Sequence, residues 1–152
     1  MANYNAENYE KQYVTKPSEK IQMGEKAGRK RLLLDRKVLD AAYQVGDKVI
    51  CGFIPADSIV TEAKVKIDKS LGATGIFDLG FAANGVDAAD ADAFVVAADA
   101  GGSPELMRSN ELCVGIHKRF TAETQVELIC TEVMDGSVLD GIVSIEIEYV
   151  ND

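Results

Sequence analysis

Tryptophan is absent from this 152-residue chain, histidine occurs once, and proline and cysteine occur three times each. Each shortage closes off a kind of chemistry. A hydrolytic triad needs a histidine beside its nucleophile, so every such site would have to pass through His117. That residue falls in the middle of an expected strand, between Ile116 and Lys118, and no serine-elbow glycine pattern occurs anywhere. A histidine-based zinc site is starved of ligands for the same reason. Cys51, Cys113 and Cys130 are odd in number, widely spaced and without a C-x-x-C pair. Each lies among apolar neighbours and reads as a small buried hydrophobe, not as a metal or redox group. No stretch approaches the roughly 20 apolar residues of a spanning helix. The opening Met1-Ala2-Asn3-Tyr4-Asn5 lacks the basic-then-apolar layout of a secretory signal. The expectation is synthesis in the cytoplasm and no membrane partner.

What is present points to a folded, sheet-based chain. Hydrophobic residues make up 47% and charged residues 27%, ordinary values for a globular protein. The apolar stock is rich in Val, Ile and Ala, which suits a pleated core of moderate side chains. The net charge of −9 is unevenly spread. Residues 1–37 carry nine Lys/Arg against five Asp/Glu, whereas the remainder carries seven against twenty. An acidic body with a basic lead-in argues against nucleic acid as a partner and lets the lead-in reach an acidic surface, a neighbouring copy included.

The chain divides into two parts, an extended N-terminal arm over residues 1–28 and a β-sandwich domain over 29–152. The arm is polar, shows neither helical period nor sustained alternation, and contains Pro17. Such a segment orders against a partner, and Tyr4, Tyr9 and Tyr13 offer it contact area at low entropic cost. Residues 31–43 fit a helix or a buried strand, with a strand preferred. Lys48 to Ile54 reads as a strand ending at Pro55, and residues 55–58 as a turn. The clearest strand follows, where Ile59, Thr61, Ala63, Val65 and Ile67, expected on the buried face, alternate with Val60, Glu62, Lys64, Lys66 and Asp68 on the wet one. Further strands are expected over residues 76–80, 113–120, 124–131 and 142–150, with a turn at Asp135-Gly136. Residues 82–104, rich in Ala, Asp and Gly, read as a loop with one helical turn around Asp90 to Ala98. This number of short strands predicts an all-β fold, a two-sheet sandwich or jelly roll.

Other constellations are weak. The run from Gly24 to Lys30 has the wrong spacing for a phosphate loop and lacks the following Ser/Thr. Arg29-Lys30-Arg31, extended by Arg36-Lys37, is interrupted by Asp35 and reads as a protein-facing or solvent face. Asp87, Asp90, Asp92 and Asp99 do not match a helix-loop-helix calcium loop. Asp68 and Asp78 are single carboxylates without an evident partner. No catalytic residue, metal ligand or cofactor emerges, and a non-enzymatic chain is expected.

The segments Tyr43 to Lys48, Ile54 to Val65, Leu71 to Gly80, Asp90 to Phe94 and Val143 to Val150 together resemble small virion proteins of tailed bacteriophages. The resemblance covers roughly residues 30–150 and lies in strand and turn pattern. It implies a capsid decoration (cement) protein on the capsid surface of the virion, with the major capsid protein as partner and a homo-oligomer, a trimer by preference. The arm residues Tyr4, Tyr9, Tyr13, Lys16 and Lys20, with Arg29, Lys30 and Arg31, would then form the protein interface. A head–tail connector or tail component is the alternative within the same class. A small carbohydrate- or calcium-binding module using the 82–104 loop is the alternative outside it.

Overall fold

The computed structural model describes residues 3–5, 30–39, 42–67, 75–99, 105–110, 113–133 and 141–151. Within them lie ten strands: β1 (Asn3–Asn5), β2 (Lys30–Leu39), β3 (Lys48–Ile54), β4 (Ser58–Ile67), β5 (Ile76–Phe81), β6 (Asp90–Asp99), β7 (Glu105–Arg108), β8 (Arg119–Phe120), β9 (Thr124–Glu132) and β10 (Gly141–Asn151). They form two sheets. One has the order β1-β3-β9-β5-β6 and the other β2-β10-β4-β7, with β8 added beside the start of β4. All pairings are antiparallel except β1 on β3, which is parallel. The sheets face each other, with β2 over β3 at one side and β4 and β7 over β6 at the other. The expected all-β sandwich is the observed fold.

Alternation builds the core. Val60, Ala63, Val65 and Ile67 of β4 and Val143, Ile145 and Ile147 of β10 point inward and are buried. They meet Val49, Cys51, Ile54, Phe77, Leu79, Val126, Leu128 and Cys130 from the opposite sheet. At one end Phe81, Phe94 and Phe120 pack together, with the Phe81 and Phe120 rings edge-to-face at 5.1 Å. Lys118 Nζ lies 5.2 Å and 5.4 Å from those two ring centres and is tied to Asp87 at 2.8 Å. The three cysteines are free and buried. Burial, with Asp35 nearby, pushes the Cys51 thiol well above its ordinary value.

Several expectations are corrected. The face expected for β4 holds only from Ala63 onward: the alternation shifts at Thr61-Glu62, so Ser58 and Val60 are buried and Ile59 and Thr61 are only half-buried. The stretch read as a loop with a helical turn is strand β6, because Ala93, Phe94, Val95 and Ala98 have a hydrophobic face to fill beside β5. Ala97, at φ +52°, absorbs the irregular register, and its N–H donates to Asp78 Oδ1 at 2.6 Å. Residues 113–120 are a turn leading into the two-residue β8, not one strand. His117 therefore sits at φ +63° on an exposed turn, its N–H donating to the Val60 carbonyl at 2.7 Å. Strand β7 had no counterpart in the sequence reading. Of the arm, Asn3–Asn5 form β1; the rest of the segment, and the turn expected at Asp135-Gly136, lie outside the described residues.

Gly52 is required by its backbone angle and Gly80 by close approach of backbone. Gly52 has φ +125° at a bulge in β3, and a Cβ there would stand 3.0 Å from Leu33 Cδ1 of the opposing sheet. At Gly80 a Cβ would fall 2.0 Å from the Asp90 carbonyl oxygen and 2.4 Å from the Ala91 carbonyl carbon. Backbone cannot yield as a flexible side chain can. Gly80→Ala is therefore expected to cost about 3 kcal/mol in urea denaturation, the upper range for overpacking. A midpoint equal to that of the wild type would show that β6 does not pass so close.

Candidate assembly surface

The strongest patterned surface is the outer face of the β2-β10-β4-β7 sheet. The same alternation that sends Ala63, Val65, Ile145 and Ile147 inward turns Glu62, Lys64, Lys66, Ser144, Glu146 and Glu148 outward. Register then sets neighbours across the strands. Leu34, Glu146, Lys64 and Arg108 form one row; Arg36, Ser144, Lys66 and Leu106 form the next. Glu148 lies directly opposite Glu62, a like-charge pair that would destabilise the sheet if left alone.

Cations resolve that conflict. Lys64 Nζ reaches Glu146 at 2.7 Å, Glu62 at 3.3 Å and Glu148 at 3.8 Å. Arg108 Nη1 donates to Glu62 Oε1 at 2.6 Å, and Lys30 Nζ donates to Glu148 Oε2 at 2.9 Å. The result is one ionic ladder, Lys30–Glu148–Lys64–Glu62–Arg108, running across all four strands. Desolvation alone would lift the Glu62 carboxyl; hydrogen bonds from Arg108 and Lys64 overcome it and hold the group below its usual range. The hydrogen bond to Glu146, helped by Glu62, raises the Lys64 ammonium. Exposed pairs of this kind add little stability one by one; together they fix the charge pattern.

Apolar side chains flank the ladder. Leu32 and Leu34 are each 52% exposed, and Val38 and Leu106 are each 45% exposed. Leu34, Leu106, Ser144, Glu146, Lys64, Lys66 and Arg108 line a shallow concavity of about 330 Å³. The other large exposed apolar residues, Val45, Val86, Val114 and Val133, lie singly in loops and call for no special account.

The residues singled out in the sequence are placed unevenly. Lys30 anchors one end of the ladder. Arg31 turns the other way, opposite Tyr149, with its Nε buried and without a hydrogen-bond partner. Tyr4 is the middle residue of β1, at the register of Val49. Tyr9, Tyr13, Lys16, Lys20 and Arg29 lie outside the described residues. Leu32, Leu34 and Val38 were read as strand or helix interior, yet only Leu33 and Leu39 of that run pack inward. The ladder itself was missed, although two alternating strands with charges of opposite sign on their wet faces were the signal for it. In the acidic group, Asp87 is paired with Lys118, and burial together with neighbouring Asp92 raises the Asp90 carboxyl. Among the described residues no three carboxylate, histidine or cysteine side chains come together as a metal-holding group.

No protein-family model matches the chain, and no curated protein matches it. Among solved structures, a chain from the capsid of Ralstonia phage GP4 is similar over 99% of both chains, with a TM-score of 0.76 and 16% identity. A chain from the capsid asymmetric unit of cyanophage Pam1 covers 92% of this chain and 99% of its own, with a TM-score of 0.63 and 18% identity. At such identities the likeness is one of fold.

The ladder's titration has a definite sign. With its folded value lowered, Glu62 contributes stability above its ordinary 4.5 and loses it as pH falls through the lowered value. With its folded value raised, Lys64 contributes fully below 10.5 and fades as pH rises through the raised value. Lys64→Met is expected to move the Glu62 carboxyl up toward 4.5 in an NMR titration. An unmoved Glu62 would assign its shift to Arg108 and deny Lys64 its bridging place.

Proposed function

We propose that this chain is a structural protein of a bacteriophage virion, a capsid decoration protein that reinforces the shell by bridging major capsid subunits and that acts as scaffolding, not as an enzyme. The observation that carries the reading is the end-to-end similarity to a chain of a solved phage capsid, 99% of each chain at a TM-score of 0.76.

The surface supports the same reading. A sheet face with charges already paired, apolar residues at its margin and only a shallow concavity suits contact with another protein surface better than capture of a small molecule in a deep cleft. In this reading the ladder face docks on the shell, and the basic arm over residues 1–28 ties neighbours together. Several modest contacts in one oligomer then add by avidity. A trimer suits local threefold positions of a shell.

Two measurements test the proposal. Leu32→Asp with Val38→Asp is expected to weaken binding to undecorated particles by about tenfold or more, the scale of one lost apolar anchor, while the melting temperature barely moves, since both side chains are exposed. Binding that is indifferent to both changes would remove this face from the contact. Deleting residues 1–28 is expected to lower particle occupancy and the heat resistance of the decorated shell. Electron microscopy of those particles separates positions: copies spread over the shell fit decoration, and a single ring at one vertex would move the chain to the connector.

A further inference from the structure

Strand β1 is topologically odd. It is the only parallel strand among the described residues, added at the free side of β3 with Asn3, Tyr4 and Asn5 at the register of Lys48, Val49 and Ile50. It is three residues long, and the antiparallel part of its sheet, β3-β9-β5-β6, is complete without it. Main-chain pairing of so short a strand is sequence-tolerant and depends on an acceptor edge being presented.

The connection is also far longer than a path within one subunit requires. Strand β2 packs over β3, so β1 and β2 lie at the same side of the sandwich. Leu33, near the start of β2, lies against Gly52 of β3, and β1 runs parallel to β3 with Asn5 at the register of Ile50; hence the chain leaving β1 heads toward the level at which β2 starts. Crossing between two packed sheets spans about 10 Å. Twenty-four residues separate Asn5 from Lys30, enough when extended to reach roughly 80 Å. Residues 1–37 are net basic and the remainder strongly acidic, so the segment carrying β1 is attracted to the body of another copy as well as to its own.

From these observations we infer that the free side of β3 is an acceptor edge for Asn3–Asn5 of a second copy of this chain, and that subunits are linked by exchange of this strand. Exchange uses the pairing the single chain already makes and needs no new surface, the usual economy of swapped elements. The inference deepens the assembly reading and rests on it only in requiring more than one copy.

The test is a disulfide trap on the full-length protein. Asn5 and Ile50 are register partners, and adjacent strands about 4.8 Å apart fall within disulfide reach. The native thiols are buried, so the wild type serves as the oxidation control. Two differently tagged chains, Asn5→Cys and Ile50→Cys, are co-expressed and oxidised, as is the double variant, and all are read by non-reducing electrophoresis and mass spectrometry beside the oligomeric mass. The expected result is a bond joining one tag to the other, with covalently linked multimers from the double variant. An internal bond alone in an oligomeric protein overturns exchange and leaves the assembly reading standing. An internal bond in a monomer overturns both. No bond in either experiment overturns the β1–β3 pairing on which the inference stands.

Discussion

The pairing of β10 between β2 and β4 is the constraint from which the rest of the structure follows. Its register sends Val143, Ile145 and Ile147 into the core and Ser144, Glu146 and Glu148 to the outer face. A slip of one residue would exchange the two sets, burying two glutamates and exposing three branched hydrophobes. The partners enforce the choice from both sides. Strand β4 presents Ala63 and Val65 inward at the same rows and Lys64 outward to meet the glutamates. Core packing and surface charge thus select one register, and the ladder comes from the same alternation that makes the core.

The same logic explains what the sequence showed and what it hid. Stretches with clean alternation, Ala63 to Ile67 of β4 and Val143 to Glu148 of β10, were legible because each residue's neighbours on the chain differ from it in polarity, whereas the adjacent Ile59 and Val60 at the start of β4 hid which of them is buried. Strand β6 was hidden by its composition. Asp90, Ala91, Asp92 and Ala93 are poor strand formers, and the segment is extended because Phe94 and Val95 have a hydrophobic face to fill, a fact visible only once β5 is beside it. Residues 113–120 failed in the opposite direction. Their apolar run reads as a strand, but Gly115, whose added Cβ would fall 2.6 Å from Phe94 Cε1, and the left-handed His117 turn the chain so that Phe120 can join the aromatic cluster.

The candidate surface was half legible for a related reason. Single-strand patterns report which side of a strand is wet, but ion pairing across a sheet depends on register, and register comes from residues more than eighty positions apart, as with Lys64 and Glu146. The Arg29-Lys30-Arg31 triplet illustrates the difference. Adjacent on the chain, Lys30 and Arg31 face opposite sides of β2, so Lys30 joins the ladder and Arg31 lies against Tyr149. A charge run on a strand divides between its faces and is not one patch.

What such a surface can contribute to docking follows from its charges being already satisfied. Lys64 is held by three glutamates before any partner arrives, so a partner that covers the ladder must strip water from paired ions and gains little Coulomb energy in return. The attraction must then come chiefly from the apolar margin of Leu32, Leu34, Val38 and Leu106. The ladder instead rejects partners whose charges fall out of step with it. On the proposed docking, selection by the ladder and adhesion by its margin would give a contact that is specific but modest for one copy. A contact of that strength becomes lasting only when subunits engage together, so a face built this way is most useful to a protein whose copies are joined.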